Sequence, residues 1–473
     1  MTKTKLAFGI FIAVCLGLCI IPSFFMIFFR SDEAIGNETQ TTWPSISTED
    51  GGFNEHVLDE MGGWFETHYA FRPQLITADA RLQAALFEVS NTDPVTVGSD
   101  GWLYYTSTLP DLLGEEALSD RGMWNLAHNM ALIENYATAM GAKFLFMVPP
   151  NKNTLYPEHM PYYYRQEAGS RRNRDHLKDY LEDANVSYLD IFALLGDQEE
   201  TLYLKEDSHW NNKGAMLVYN QTLDRMEKAH DSYEQIEPAY LPIHEGDLAR
   251  MIYPAGVQPE NDYQYDYETT YQYISGPMSS DPVSVEDYRI ETSSPASSDT
   301  LLMYRDSFGN TLIPIFSNAF EHGYYVKATP YPVARDMQQY HPQYVIIELV
   351  ERNLRNLAKA PAIIPAPKRS IDPALLTALP EVQTQITQCP SDANFIAFTG
   401  QVPQEAVSAH GKIYLAIHMP DGSTILYEAF TTTEKDPQTG LDNDYGYTLY
   451  LPVSQFGTLE DAQQIPVTVS VQP

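Results

Sequence analysis

The stretch Asp207-Ser208-His209-Trp210 sets a carboxylate and an imidazole two positions apart, immediately before "NNKGAMLVYN", which reads as a helix. In an extended backbone residues i and i+2 face the same side, so Asp207 could orient His209 as a general base. The same pair could bind a metal or simply satisfy a surface histidine. A base needs a group to deprotonate, and "LLMYRDSFGN" offers one. Its apolar strand ends at Tyr304, and Ser307 falls in the turn before the next helix. That turn lies at the carboxyl edge of a parallel sheet, where open α/β folds bind ligands. The serine's own amide would sit near the positive end of the helix, where an oxyanion is stabilised. Each motif is common alone; at two strand-to-helix junctions of one sheet they suggest a nucleophile and its base. No His-Glu-x-x-His or Cys-x-x-Cys pattern supplies further ligands, so no metal is expected. Trp210 could stack on a sugar ring or staple the start of its helix.

The surrounding elements alternate. "NLAHNMALIENYATAMG" puts Leu126, Met130, Ile133 and Ala137 on one helical face, with Gly141 as a stop. "KFLFMV", "TLLMY" and "YVIIELV" are continuous apolar runs of the kind buried on both faces of a sheet. "RDHLKDYLEDAN", "NNKGAMLVYNQTLDRM" and "GNTLIPIFSNAF" read as helices between them. This alternation predicts an α/β fold with a parallel sheet flanked by helices. Residues 240–298, rich in Tyr, Asp, Ser and Pro, interrupt it and suggest a β-rich insertion or lid.

The ends of the chain differ from its middle. From Leu6 to Phe29 no charged residue occurs over 24 positions, enough to cross a bilayer as an uncleaved helix. Lys3 and Lys5 precede it, which predicts a cytoplasmic tip and an ectodomain outside. With Lys3, Lys5 and Arg30 set aside, 26 basic residues face 63 acidic ones, a net charge of −37. Such a surface repels nucleic acid and anionic head groups. Cys389 is the one cysteine beyond the apolar segment, so no internal disulfide can staple the ectodomain. "KAPAIIPAPKRSIDP" reads as a proline-rich linker. After it "KIYLAIHMPDGSTILYEAF", "YGYTLYLPV" and "IPVTVSV" read as strands of a small β-sandwich. Tyr414, Tyr427 and Tyr447 there are either core or a sugar platform. The expected divisions are a tip and transmembrane anchor at 1–30, a juxtamembrane linker at 31–52, and a catalytic domain at 53–358. A linker at 359–387 and the sandwich at 388–473 follow.

Asp-Ser-His-Trp followed by Gly-Ala, and later a strand leading into Asp-Ser-Phe, resembles the SGNH-hydrolase-like O-acetyltransferase family of the alginate O-acetylation type. It is also similar to the related extracytoplasmic DHHW proteins. "AFRPQLI", "GSDGWLYY", "MVPPNKNTLYPEHMP" and "YVIIELVERNL" fit the same pattern, so the resemblance covers Phe53 to Leu357. It implies an SGNH-like fold, circularly permuted so that the histidine block precedes the serine block. Matched residue by residue, Ser307 falls on the nucleophile, His209 on the base and Asp207 on its orienter. Asn151 of "PPNK" falls on the asparagine of the oxyanion hole, and Arg352 and Asn353 would line the pocket from the next strand end. Two positions depart from the pattern. Ser208 stands where many relatives have His, and Arg305 stands where the usual serine motif has Gly, which bears on oxyanion geometry and substrate preference.

The resemblance implies a membrane-anchored, extracytoplasmic O-acetyltransferase that modifies an exported or cell-wall polysaccharide through an acyl-serine. No cofactor is implied; a membrane-bound O-acyltransferase partner would supply the acyl group. A polysaccharide acetylesterase, a D-alanyl transfer protein and a non-catalytic scaffold of an export complex remain open on the residues alone.

Overall fold

The computed structural model describes residues 3–31, 41–48, 51–87, 89–166, 169, 171–274, 288–435 and 440–472. Much of the expected linker at 31–52, and residues 275–287 of the expected insertion, lie outside these. The first helix, Lys3–Phe25, is long and apolar enough to cross a bilayer and is almost wholly exposed. Helices Val57–His68 and Arg72–Phe87 follow.

A short hairpin of β1 (Val95–Val97) and β2 (Leu103–Tyr105) opens the main body. Then come β3 (Lys143–Met147), β4 (Tyr188–Leu189), and a hairpin of β5 (Ala239–His244) and β6 (Glu260–Gln264). They are followed by β7 (Gln272–Ile274), β8 (Arg289–Ser293), β9 (Thr300–Tyr304), β10 (His322–Val326) and β11 (Tyr344–Glu348). The main sheet has the order β4-β3-β11-β9-β10-β8-β7.

Strands β4, β3, β11, β9 and β10 are parallel, as their apolar runs require of strands covered on both faces. The expectation of a wholly parallel sheet needs correction, because β8 pairs antiparallel with β10 and β7 antiparallel with β8. Both come from the segment expected as a separate insertion. Their mixed composition, "QYI" and "RIETS", suits an edge rather than a doubly covered centre.

Helix Asp120–Ala139 buries Leu126, Met130 and Ile133 on one face of the sheet. Helices Asn212–Arg225 and Gly309–Ala319 bury Val218, Leu223, Leu312 and Phe316 on the other. Each such side chain contributes about 1.5–3 kcal/mol by leaving water.

The carboxyl-terminal part is β-rich. It holds β12 (Lys368–Arg369), β13 (Thr377–Ala378), β14 (Gln385–Gln388), β15 (Phe395–Gln401), β16 (Lys412–His418), β17 (Thr424–Glu428), β18 (Phe430–Lys435), β19 (Asp442–Pro452) and β20 (Val467–Gln472). They form two sheets, β12-β17-β16-β20-β13 and β14-β15-β19-β18. The sheets share a core that includes Phe398, Ile413, Leu415, Leu449 and Val471. Tyr414, Tyr427 and Tyr447 are all at most 2% exposed, so none of them offers a sugar platform.

The expected linker at 359–387 is not a tether. Ala362, Ile363, Ile364 and Ala366 are buried, and Ile363 exchanges backbone hydrogen bonds with Tyr331 and Ala334. Proline there sets an extended path through packed surface. The β-region also docks directly on helix Asp120–Ala139: Asn129 exchanges hydrogen bonds with the backbone of Thr431 at 2.9 and 3.2 Å, and His128 Nε2 meets Glu428 Oε1 at 2.9 Å.

Candidate active site

Strand β9 ends at Tyr304, and residues 305–308 turn the chain into helix Gly309–Ala319. Asp306 braces this turn. Its Oδ1 accepts from the Phe308 amide at 2.9 Å and its Oδ2 from the Val350 amide at 2.8 Å, while its own N–H donates to Glu348 Oε2 at 3.1 Å. The ends of β9 and β11 are thereby tied together. Glu348 is fully buried, and burial and then the Asp306 charge hold its carboxyl well above the usual carboxylate range. Ser307 sits at the apex, half-buried, and among the described residues its backbone N–H has no partner.

The histidine loop approaches from the neighbouring helix. Asn211 caps helix Asn212–Arg225 by accepting from the Gly214 amide at 2.9 Å. The residues before it are a run of bends, not the extended strand expected. The pairing is made another way: Asp207 Oδ1 accepts both the His209 backbone N–H at 2.9 Å and ring Nδ1 at 2.6 Å. A carboxylate that bonds the amide two residues on makes a tight local turn, which here also aims the imidazole. His209 Nε2 then lies 2.8 Å from Ser307 Oγ, across 98 positions of sequence. With the ring proton on Nδ1, Nε2 is the acceptor for the serine hydroxyl. Phe308 packs its ring on His209 at 4.7 Å.

Four further residues, not anticipated from the sequence, complete the surroundings. His244 Nε2 lies 2.8 Å from Asp207 Oδ2, which also accepts the Asp247 amide at 2.9 Å. Asp247 in turn accepts Ser208 N at 2.8 Å and Ser208 Oγ at 2.6 Å. Gly246 makes the close approach possible, since a Cβ there would run into the Glu206 carbonyl. Lys152, fully buried, donates Nζ to the carbonyls of Leu204, Lys205 and Asp207, and so holds the histidine loop from below. In the sequence Lys152 follows Asn151 in "PPNK", and "IHEGD" at 243–247 falls within the expected insertion.

Electrostatics follow from this packing. Burial alone would raise the Asp207 carboxyl, but hydrogen bonds and charge from His209 and His244 hold it well below the usual range. Burial disfavours the His209 cation, yet Asp207 outweighs it and the imidazole pKa is raised. Asp247 is raised by burial and by the Asp207 charge, so of the two carboxylates Asp207 carries the charge more firmly. Ligand-type atoms of Asp207, His209 and Asp247 lie within 4.8 Å of one another. A cation placed there would displace the hydrogen bonds that join His209 to Asp207.

The other sequence-derived candidates fare differently. Trp210 is 1% exposed and packs edge-on against Phe308 at 5.1 Å, so it is core and not a stacking wall for a sugar. Arg305 is also buried and folds under the serine turn, donating Nη1 to the Asp306 carbonyl at 3.2 Å and to Asn310 Oδ1. Asn151 is 1% exposed and donates its amide nitrogen to Asp111 Oδ2 at 2.8 Å. Arg352 sets its guanidinium 6.0 Å from the Phe308 ring, and its charge acts to lower the pKa of both His209 and Asp111. Asn353 is half-buried on the same 3-10 turn.

The contacts define a serine–histidine–aspartate arrangement at the edge of an α/β sheet. Residues 95–282 match the family model described as SGNH hydrolase-like domain, acetyltransferase AlgX. That match contains Asp207 and His209 and ends before Ser307. The "Probable alginate O-acetylase AlgJ" of Pseudomonas aeruginosa is 25% identical over 174 residues, 35% of this chain and 42% of that protein. The protein of the same description from Pseudomonas syringae pv. tomato is 30% identical over 171 residues, 33% of this chain and 40% of that protein. The chain thus spans about two fifths of the length of these relatives. The solved structure of Bacillus cereus PatB1 matches over 56% of this chain and 97% of its own, at 14% identity and a TM-score of 0.43. The resemblance is to SGNH-hydrolase-like O-acetyltransferases of the alginate O-acetylation type.

Proposed function

We propose that this protein is an extracytoplasmic O-acetyltransferase that modifies a polysaccharide through an acyl-serine. The observation that carries the reading is the line of contacts Asp207 Oδ1–His209 Nδ1 at 2.6 Å and His209 Nε2–Ser307 Oγ at 2.8 Å. It is supported by the acetyltransferase description of the matching model and of the relatives.

In the first half-reaction Ser307 Oγ gives its proton to His209 Nε2 and attacks the acyl carbonyl of the donor. The Ser307 backbone N–H faces the developing oxyanion. Collapse breaks the bond from the acyl carbon to the donor's leaving group, which departs with the proton from His209. A sugar hydroxyl then gives its proton to His209 and attacks the acyl-serine. Breaking the acyl–Oγ bond forms the sugar ester, and Ser307 Oγ recovers the proton. Asp207 stabilises the imidazolium formed in both steps.

The exposed apolar helix Lys3–Phe25 would anchor the catalytic part to the membrane, with Lys3 and Lys5 on the cytoplasmic side. Acyl groups would reach it from a membrane-bound O-acyltransferase. In this reading the fold is a circular permutation, with the base-bearing loop ahead of the nucleophile. Alginate, which the relatives' descriptions name, is a polyuronate; the acceptor here is a polysaccharide of the cell wall or of export.

The test is Ser307→Ala in the producing cell. Loss of O-acetyl groups from the polysaccharide, with the protein still in the membrane, is expected. Unchanged acetylation would mean a scaffold, and release of free acetate without sugar ester by the purified wild type would mean an esterase.

A further inference from the structure

Beside the serine and histidine loops runs an open groove of about 590 Å³. Helices Asn212–Arg225 and Gly309–Ala319 form one wall through Asn212, Met216, Asn310, Thr311 and Pro314. Tyr263, Tyr265 and Tyr267 form the other. The groove is lined by the starts of the two helices that follow the histidine and serine loops. Asn310 donates its backbone N–H to the Ser307 carbonyl at 3.1 Å, and Asn212 lies three positions beyond His209. The tyrosine wall is tied to that helix start, since Asp262 Oδ1 accepts the Asn212 amide at 3.0 Å and Asn212 Nδ2 donates to the Tyr263 carbonyl at 2.9 Å.

The composition of the groove is selective. Among the described residues its lining carries aromatic rings, amides, hydroxyls and apolar side chains, and no Lys, Arg, Asp or Glu. In "ENDYQYDYE" the tyrosines alternate with Asp262, Gln264, Asp266 and Glu268, and the half-buried tyrosines face inward. The strand ends at Gln264, and in the segment that follows it Asp266 and Glu268 are exposed. Among the residues of this stretch there is no cation to balance Glu260, Asp262, Asp266 and Glu268. Lys213, whose Nζ lies 5.4 Å from the Tyr263 ring, is paired with Glu200 at 2.7 Å.

We infer that this groove is the acceptor-sugar subsite of the proposed transferase and that it takes an uncharged glycan, not a polyuronate. The inference rests on the functional reading above for the word acceptor only. Aromatic faces stack on the C–H faces of pyranose rings, and the amides and hydroxyls opposite exchange hydrogen bonds with sugar hydroxyls. A uronate carboxylate would meet no cation among the described lining residues, and the exposed Asp266 and Glu268 on the same segment as the tyrosine wall would add like-charge repulsion. The relatives named for alginate would differ from this chain at this wall.

The test is glycan binding to the full-length Ser307→Ala protein in detergent micelles, followed by saturation-transfer NMR and calorimetry. The probes are cellohexaose, maltohexaose, an N-acetylglucosamine hexamer and a mannuronate hexamer. At least one uncharged hexamer is expected to bind, with the mannuronate hexamer about tenfold weaker or worse. Tyr265→Ala, and independently Thr311→Trp, which fills the groove from the helix side, should each weaken binding about tenfold. Mannuronate binding as tightly as the uncharged hexamers would overturn the proposal. So would binding unaffected by Thr311→Trp, or no binding by any uncharged probe. Because Ser307→Ala removes the nucleophile, this outcome is independent of whether Ser307 forms an acyl-enzyme.

Discussion

His244 Nε2 lies 2.8 Å from Asp207 Oδ2, while His209 Nδ1 lies 2.6 Å from Oδ1 of the same carboxylate. One buried anion therefore serves two imidazoles, and the two compete for its charge.

That competition has a sign. The base form of His209 is needed, so activity should rise as pH rises through the His209 pKa, which Asp207 holds above its ordinary value. Asp207→Asn removes the charge that stabilises the imidazolium, so the acidic limb should move to lower pH while kcat falls by roughly 10³–10⁴. His244→Phe leaves the Asp207 charge to His209 alone, so the limb should move to higher pH. Profiles of p-nitrophenyl acetate hydrolysis check both, and shifts in one common direction would contradict the account.

Lys152→Met should act on stability and on activity together. It leaves the carbonyls of Leu204, Lys205 and Asp207 without their shared donor in a buried place. An orphaned buried acceptor costs about 1–3 kcal/mol, and the loop that aims His209 loses its support. Urea denaturation should show the loss, and kcat should fall more than KM changes.

Trp210→Ala should destabilise by about 3–5 kcal/mol through the cavity it opens, and Trp210→Phe far less. Chemical denaturation measures both. Neither variant should change the preference among sugars, because the indole is inside the core.

Glu428 joins the two halves of the molecule. It meets His128 Nε2 at 2.9 Å, Lys412 Nζ at 3.0 Å and Arg369 Nε. His128 is buried and its pKa is lowered by that burial, so this contact is a hydrogen bond from a neutral ring. Glu428→Ala should cost about 2–3 kcal/mol, less than a fully buried pair because Arg369 and Lys412 are partly solvated. A thermal melt of the ectodomain reports it, and Ser307→Ala in the same assay should melt as wild type.

Short strings carried the site in the sequence, because a two-residue spacing and a strand–turn–helix junction are local. Asp207, His209 and Ser307 could therefore be named, although the turn that joins the first two is set by the carboxylate and not by an extended strand. What depends on distant chain segments was not legible. His244 and Asp247 reach the site only because Gly246 allows two backbones to touch. Strand β8 joins the main sheet by pairing with β10, and β7 by pairing with β8, which "RIETS" does not announce. Ala362 to Ala366 read as a tether by composition, but their burial comes from neighbours far away in sequence.

The most direct measurement is mass spectrometry of the ectodomain, quenched in acid after brief exposure to p-nitrophenyl acetate. The account predicts one acetyl group on the peptide bearing Ser307 in the wild type, none there in Ser307→Ala, and far less in His209→Ala. An acetyl group found elsewhere with Ser307 unmodified, or equal labelling in all three proteins, would contradict it.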